Sequence, residues 1–172
     1  LGYSYKALDG VSSTANSTEN DFYAGYSGKS GDFGYSGGLT VYYYNPGWES
    51  TGFETKLGLS YKDFGFTAQT LLNDVTYGNT GDTYFVGSYT KALPKDFTLK
   101  ADLGMYYYTK DGDFVKETAD SQDFGFRHLT VGVTHPLGAT GGTMGLSYII
   151  GGYDRYDVKQ KNQLVGTLGF TF

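Results

Sequence analysis

Residues 53–62 read Phe53-Glu54-Thr55-Lys56-Leu57-Gly58-Leu59-Ser60-Tyr61-Lys62. Taking every second residue puts Phe53, Thr55, Leu57, Leu59 and Tyr61 on one side. Glu54, Lys56, Gly58, Ser60 and Lys62 fall on the other. Successive side chains of a β-strand point to opposite faces, so this pattern sorts apolar from charged without exception, whereas a helix would scatter the charges around its apolar stripe. The stretch is therefore a strand with one apolar and one polar face.

The same alternation runs outward in both directions. Phe97, Leu99, Ala101, Leu103 and Met105 oppose Thr98, Lys100, Asp102, Gly104 and Tyr106. At the other end, Leu164, Gly166, Leu168, Phe170 and Phe172 oppose Gln163, Val165, Thr167, Gly169 and Thr171. Ten such segments are predicted: 1–8, 20–28, 32–44, 52–62, 64–73, 83–92, 96–108, 124–135, 142–152 and 163–172. Pro46, Pro94 and Pro136 all fall between them, as expected of a residue that cannot donate to a ladder.

The connections alternate in length. Short ones are expected at Lys29–Gly31, Asp63, Leu93–Lys95 and Pro136–Gly141; long polar ones at Asp9–Glu19, Asn45–Thr51, Asp74–Asp82, Thr109–Asp123 and Tyr153–Asn162. Tight turns on one end and long loops on the other are the rhythm of an up-and-down barrel in a bacterial outer membrane, with short turns in the periplasm. Both termini then lie on the periplasmic side.

Composition agrees. The 172 residues suit a single domain over 1–172 and include 27 Gly, 18 Tyr and 12 Phe but only 3 Pro. No window approaches the ~18 apolar residues of a spanning helix, a test that says nothing against a barrel whose strands alternate. A net charge of −5 argues against nucleic acid, which demands clustered Lys and Arg. With no cysteine, neither a disulfide framework nor a thiolate metal site is available. The first residues already read as a strand, so a removed leader or a fragment is expected.

Three features orient the apolar face outward, toward lipid. A ten-stranded barrel is too narrow to hold so many Phe, Tyr and Leu side chains. Its polar face is rich in Gly, Ser and Thr. Aromatic residues gather at strand ends, where the two membrane interfaces would lie: Phe33, Tyr35, Tyr43, Tyr61, Phe64, Phe66, Tyr107, Phe170 and Phe172. The fold expected is an all-β transmembrane antiparallel up-and-down β-barrel with ten visible strands. Its partners are the bilayer and lipopolysaccharide, together with the barrel-assembly machinery, which would meet the C-terminal strand.

Two segments resist. In 83–92 both faces carry bulk. In 124–135 the parity that sends Leu129, Val131 and Val133 outward also sends Arg127 outward and puts Phe124 and Phe126 inward with His128. Either Arg127 lies near the outer interface, or a bulge switches the register there.

The run 21–47 contains Tyr23-Ala24-Gly25-Tyr26, then Gly31-Asp32-Phe33-Gly34-Tyr35, then a Tyr-rich strand closed by Pro46-Gly47. It resembles a proteobacterial outer-membrane family of conserved hypothetical proteins, the Gcw type. The hairpin over 82–107 is similar to another of that family. The resemblance spans most of the chain and implies up to two further strands before Leu1, twelve in all. It brings no activity and no site residues.

Asp-Phe-Gly recurs at 32, 63 and 123, but the Gly-rich phosphate loop and catalytic loop that a kinase needs are missing, so the motif reads as turn chemistry. Only His128 and His135 are available to a hydrolase. His128 has inward parity, within reach of Asp102, Lys100 or Glu54, and reads as part of a polar network. The acidic loop 109–123 lacks calcium-loop spacing and reads as solvated. No catalytic, cofactor or metal residue is assigned, and no enzymatic activity is expected.

The functional lead is the inward polar set: Lys6, Glu54, Lys56, Lys62, Gln69, Lys100, Asp102 and His128. Buried charges must be paired or wet. Paired across strands they plug the barrel; wet, they line a pore and bias its selectivity, here slightly toward anions. The function expected is a small porin-like channel for ions or small solutes. Its alternative is a closed barrel with a structural or surface role through loops 9–19 and 109–123.

Overall fold

A computed structural model describes residues 1–8 and 17–170. Ten strands form one antiparallel sheet: β1 (Gly2–Leu8), β2 (Ser17–Ser30), β3 (Phe33–Asn45), β4 (Gly52–Tyr61), β5 (Phe64–Leu71), β6 (Thr83–Ala92), β7 (Thr98–Tyr107), β8 (Phe124–Pro136), β9 (Gly142–Gly151) and β10 (Gln163–Phe170). Each pairs with its neighbours in sequence, giving the order β1 to β10 without a crossover. Among the described residues no ladder joins β1 to β10. No helix among the described residues is long and apolar enough to cross a membrane.

Most ends differ from the expected bounds by one to three residues, and three of the differences bear on the faces. β2 is longer both ways, so Glu19 is a strand residue and not part of a loop. Pro136 is the last residue of β8, where its missing N–H interrupts no interior rung. The β2–β3 and β4–β5 turns each span two residues. In the second, Lys62 leaves the ladder at φ 52 and its Nζ lies 5.2 Å from the centre of the Tyr61 ring. Lys62 is therefore a turn residue over the apolar face, not a member of the inward set.

Register assigns the faces. Thr40 opposes Glu54, Lys56 opposes Gln69, Ser88 opposes Asp102, and Gly104 opposes His128. These share the polar face. Leu57 opposes Ala68, Leu103 opposes Leu129, and Val133 opposes Leu146 on the apolar one. The β7–β8 register shifts between Gly104 and Met105, so that His128 pairs with Gly104 but Phe126 pairs with Met105. Arg127 is the extra residue of a β-bulge. The bulge returns Phe124 and Phe126 to the apolar face, where Phe124 lies 6.4 Å from Phe85, and corrects their inward parity.

The apolar face stays largely uncovered. Leu39, Leu57, Leu59, Leu103, Val131, Leu146, Leu164 and Leu168 are exposed, as are the ring residues Phe33, Tyr35, Tyr43, Tyr61, Phe64, Phe66, Tyr107 and Phe170. Buried apolar side chains are Leu71, Val75, Tyr108 and Val115, all at the long-loop end. The Phe172 ring and loop 9–16 fall outside the described residues.

Candidate functional site

The polar face lines a hollow. Tyr42 of β3 and His128 of β8 are five strand-to-strand steps apart in the sheet order. A flat sheet would separate them by roughly 24 Å. They nevertheless line one cavity of about 300 Å³ together with Glu54, Gln69, Tyr84, Tyr106 and Arg127. The sheet is thus strongly curled with its polar face inside. Gly25 and Gly38 face each other across β2 and β3, where the backbones leave no room for a side chain: a Cβ on Gly25 would meet the Gly37 carbonyl at 2.8 Å, and one on Gly38 the Ala24 carbonyl at 2.9 Å.

Side-chain bonds on this face run both between neighbouring strands and along them. At the β1 end, Lys6 pairs with Glu19, which also accepts from Tyr44. Ser4 donates to Asp21 at 2.6 Å. Further round, Glu54 accepts from Tyr42 at 3.0 Å and from Gln69 at 3.2 Å. Lys100 and Asp102 pair at 3.2 Å. His128 shares a hydrogen bond with Tyr84 through Nε2 and lies 3.2 Å from Thr130 through Nδ1. Gly104 makes the first of these possible, since a Cβ there would stand 2.5 Å from Nε2 of His128.

Lys6, Glu54, Lys56, Gln69, Lys100, Asp102 and His128 thus share the polar face, as their parity requires, and Lys62 does not. The inward set also contains Glu19, Asp21 and Arg127, which the expected set omitted. Glu19 was hidden because β2 begins earlier than its apolar pattern does, and Arg127 because a bulge inverts parity beyond it; Asp21 lies within the predicted segment 20–28, where it shares the inward parity of Tyr23 and Gly25. With them, and without Lys62, the face comes close to balance. Lys6, Lys29, Lys56, Lys100 and Arg127 stand against Glu19, Asp21, Glu54 and Asp102, with Lys29 opposite Gly34 near the short turns. A second cavity, of about 430 Å³, is lined by Ser4, Asp21, Thr40, Tyr42, Lys56 and Gln69.

Three loops, 72–82, 108–123 and 152–162, fold over the long-loop end. Val75, Asn79 and Asp82 are almost wholly buried there. Asn79 donates to the carbonyls of Thr109 at 2.8 Å and Val115 at 3.1 Å. Arg155 binds the Asp82 carboxylate and the Thr109 carbonyl, and lies 4.6 Å over the Tyr108 ring. The side chains of Asp82 and Arg155 are 1 % and 11 % exposed, so this is a buried ion pair; removing one partner of such a pair costs roughly 3–5 kcal/mol. The segment 109–123 is accordingly pinned as a cap at Thr109 and Val115, while its carboxylates Asp111, Asp113, Glu117, Asp120 and Asp123 stay exposed, as expected of a solvated acidic loop.

Asp74 and Tyr77 are among the groups of the cap that titrate away from their ordinary values. Asp74 is held low because its carboxylate accepts from the Thr80 amide, the Thr80 hydroxyl and the Asp113 amide. Burial, then the nearby Glu54 and Glu19 charges, push the Tyr77 phenol up. A third cavity, of about 290 Å³, lies beneath the cap, lined by Tyr77, Asp82, Tyr106, Tyr108, Arg127 and Arg155 among others. Comparison with family models, with curated proteins and with solved structures yields no match to this chain.

Proposed function

We propose that this chain is a bacterial outer-membrane β-barrel that acts as a small porin-like channel for ions or small solutes. The reading extends the curled ten-stranded sheet to a closed barrel of the Gcw-type resemblance. One observation carries it: the apolar face lies outside and uncovered while the polar face encloses a hollow. In a water-soluble sheet the two would be exchanged.

Dimensions support the membrane part. β4 has ten residues. Ten residues rise roughly 34 Å, and a tilt of about 35–45° leaves a height of roughly 24–28 Å, close to the ~25 Å apolar band of such barrels. Rings cluster at both ends of that band. Phe64 and Tyr89 lie 5.1 Å apart near the short turns, and Tyr43, Phe53, Tyr107 and Phe124 sit near the loops. The short turns face the periplasm and the cap faces outside.

The purified chain, inserted into a planar bilayer, is expected to conduct, and to conduct more once residues 110–122 are replaced by a short Gly-Ser link. A protein that inserts and stays silent with and without the cap refutes the channel. The second reading, a closed barrel with a surface role, is favoured by the cap itself, because loops pinned by a buried ion pair form a defined surface. It predicts silence together with a phenotype on cap deletion.

A further inference from the structure

The bulge at Arg127 has a consequence for what the hollow admits. Arg127 lines both the cavity inside the curl and the one beneath the cap, and Tyr106 is the other residue shared by the two. The cavities therefore meet at Arg127 and Tyr106. Arg127 donates to the Tyr153 carbonyl at 3.2 Å, and among the described residues no carboxylate lies within 4.0 Å of its guanidinium. The other arginine of the polar end, Arg155, is by contrast neutralised by Asp82.

Glu54 lines the inner cavity with Arg127 and His128 but stands on β4, four strands from β8. In a ten-stranded cylinder four strands is close to half the circumference. In the closed barrel proposed above, the carboxylate and the guanidinium would face one another across the hollow. Glu54 is fixed in that position by Tyr42 and Gln69. Arg127 is fixed by the bulge, the kind of local insertion that re-aims one side chain without moving the strands around it.

We propose that Glu54 and Arg127 form a charge-split constriction whose transverse field selects small zwitterionic solutes, of amino-acid size, over ions of either sign. A zwitterion aligns its ammonium with Glu54 and its carboxylate with Arg127, while an ion meets one attractive and one repulsive wall. The proposal rests on the channel reading and deepens it. Arg127 and Glu54 are its specificity-determining residues, with Tyr106 narrowing the passage beside Arg127.

The test uses the full chain in planar bilayers and in liposomes. Reversal potentials in a KCl gradient give near-equal K⁺ and Cl⁻ permeability for the wild type. Arg127→Gln shifts the ratio toward K⁺ and Glu54→Gln toward Cl⁻, each by about two- to fourfold, the effect of one charge roughly 10 Å away in a partly screened pore. In liposome swelling, glycine uptake relative to glycerol falls at least about twofold in the double variant (Glu54→Gln with Arg127→Gln). Conductance with unchanged selectivity in both single variants, or an unchanged glycine-to-glycerol ratio, overturns the constriction and leaves the channel standing. A silent wild type overturns the channel and the constriction with it. Should Glu54→Gln fail to refold, Arg127→Gln alone decides, because the hydrogen bond that Arg127 donates goes to a backbone carbonyl.

Discussion

Gly104 is the residue on which the polar face turns. Its missing side chain lets the His128 ring reach Tyr84 across β7, and a Cβ would stand 2.5 Å from Nε2 of His128 and 2.9 Å from the Tyr84 hydroxyl. Gly104→Val is expected to cost about 1–3 kcal/mol through overpacking. The measurement is the denaturant midpoint of the protein refolded in lipid. Adding His128→Ala should recover much of that loss, since the two positions are in contact and their effects are not additive. An unchanged midpoint in Gly104→Val would place His128 elsewhere. Of this arrangement the sequence showed only that Gly104 and His128 have inward parity. It held no sign of the partner, because Tyr84 sits in a strand with bulk on both faces.

At the scale of elements, strands and turns were readable because period-two alternation is local and proline marks its limits. The β7–β8 bulge was readable only as a conflict, an arginine where the neighbouring valines and leucine point. Lys62 was misplaced for a related reason: nothing in the alternation of β4 announces where the chain turns, and the left-handed backbone at Lys62 ends the strand one residue sooner. The loop cap was invisible. Its central pair, Asp82 and Arg155, lies 73 residues apart in sequence, and neither residue belongs to a periodic segment.

The cap carries its own pH dependence. Asp74 has a folded-state pKa below its unfolded value, because three donors favour the carboxylate. Its contribution is complete above the unfolded pKa, about 4, and is lost as pH falls through the depressed folded value. Amide exchange of Thr80 and Asp113 reports it. Their protection factors are expected to hold between pH 7 and 5 and to drop below about pH 4. Asp74→Asn should show the lower protection already at pH 6. Equal protection in the variant at pH 6 would mean that these hydrogen bonds do not hold the cap.

For the whole molecule, what unites these features is a sheet turned inside out relative to a water-soluble protein. Hydrophobic burial among the described residues is confined to the long-loop end, while the strands present leucine, valine and aromatic rings outward. In water that surface would drive aggregation. In a bilayer it becomes the stabilising contact, and the polar face, unable to reach lipid, holds the charges in paired or hydrated form. The direction of the faces is therefore the claim from which channel, constriction and cap orientation all follow.

That direction is measurable along β4. The chain has no cysteine, so single cysteines at positions 53 to 60 can be spin-labelled one at a time in protein reconstituted into lipid vesicles. Collisions with oxygen, which concentrates in lipid, are compared with collisions with a water-soluble nickel chelate. Oxygen accessibility is predicted to peak at 53, 55, 57 and 59 and nickel accessibility at 54, 56, 58 and 60, with the two series alternating out of phase. Reversed phases, or oxygen accessibility that is low and flat along the whole strand, would contradict the account.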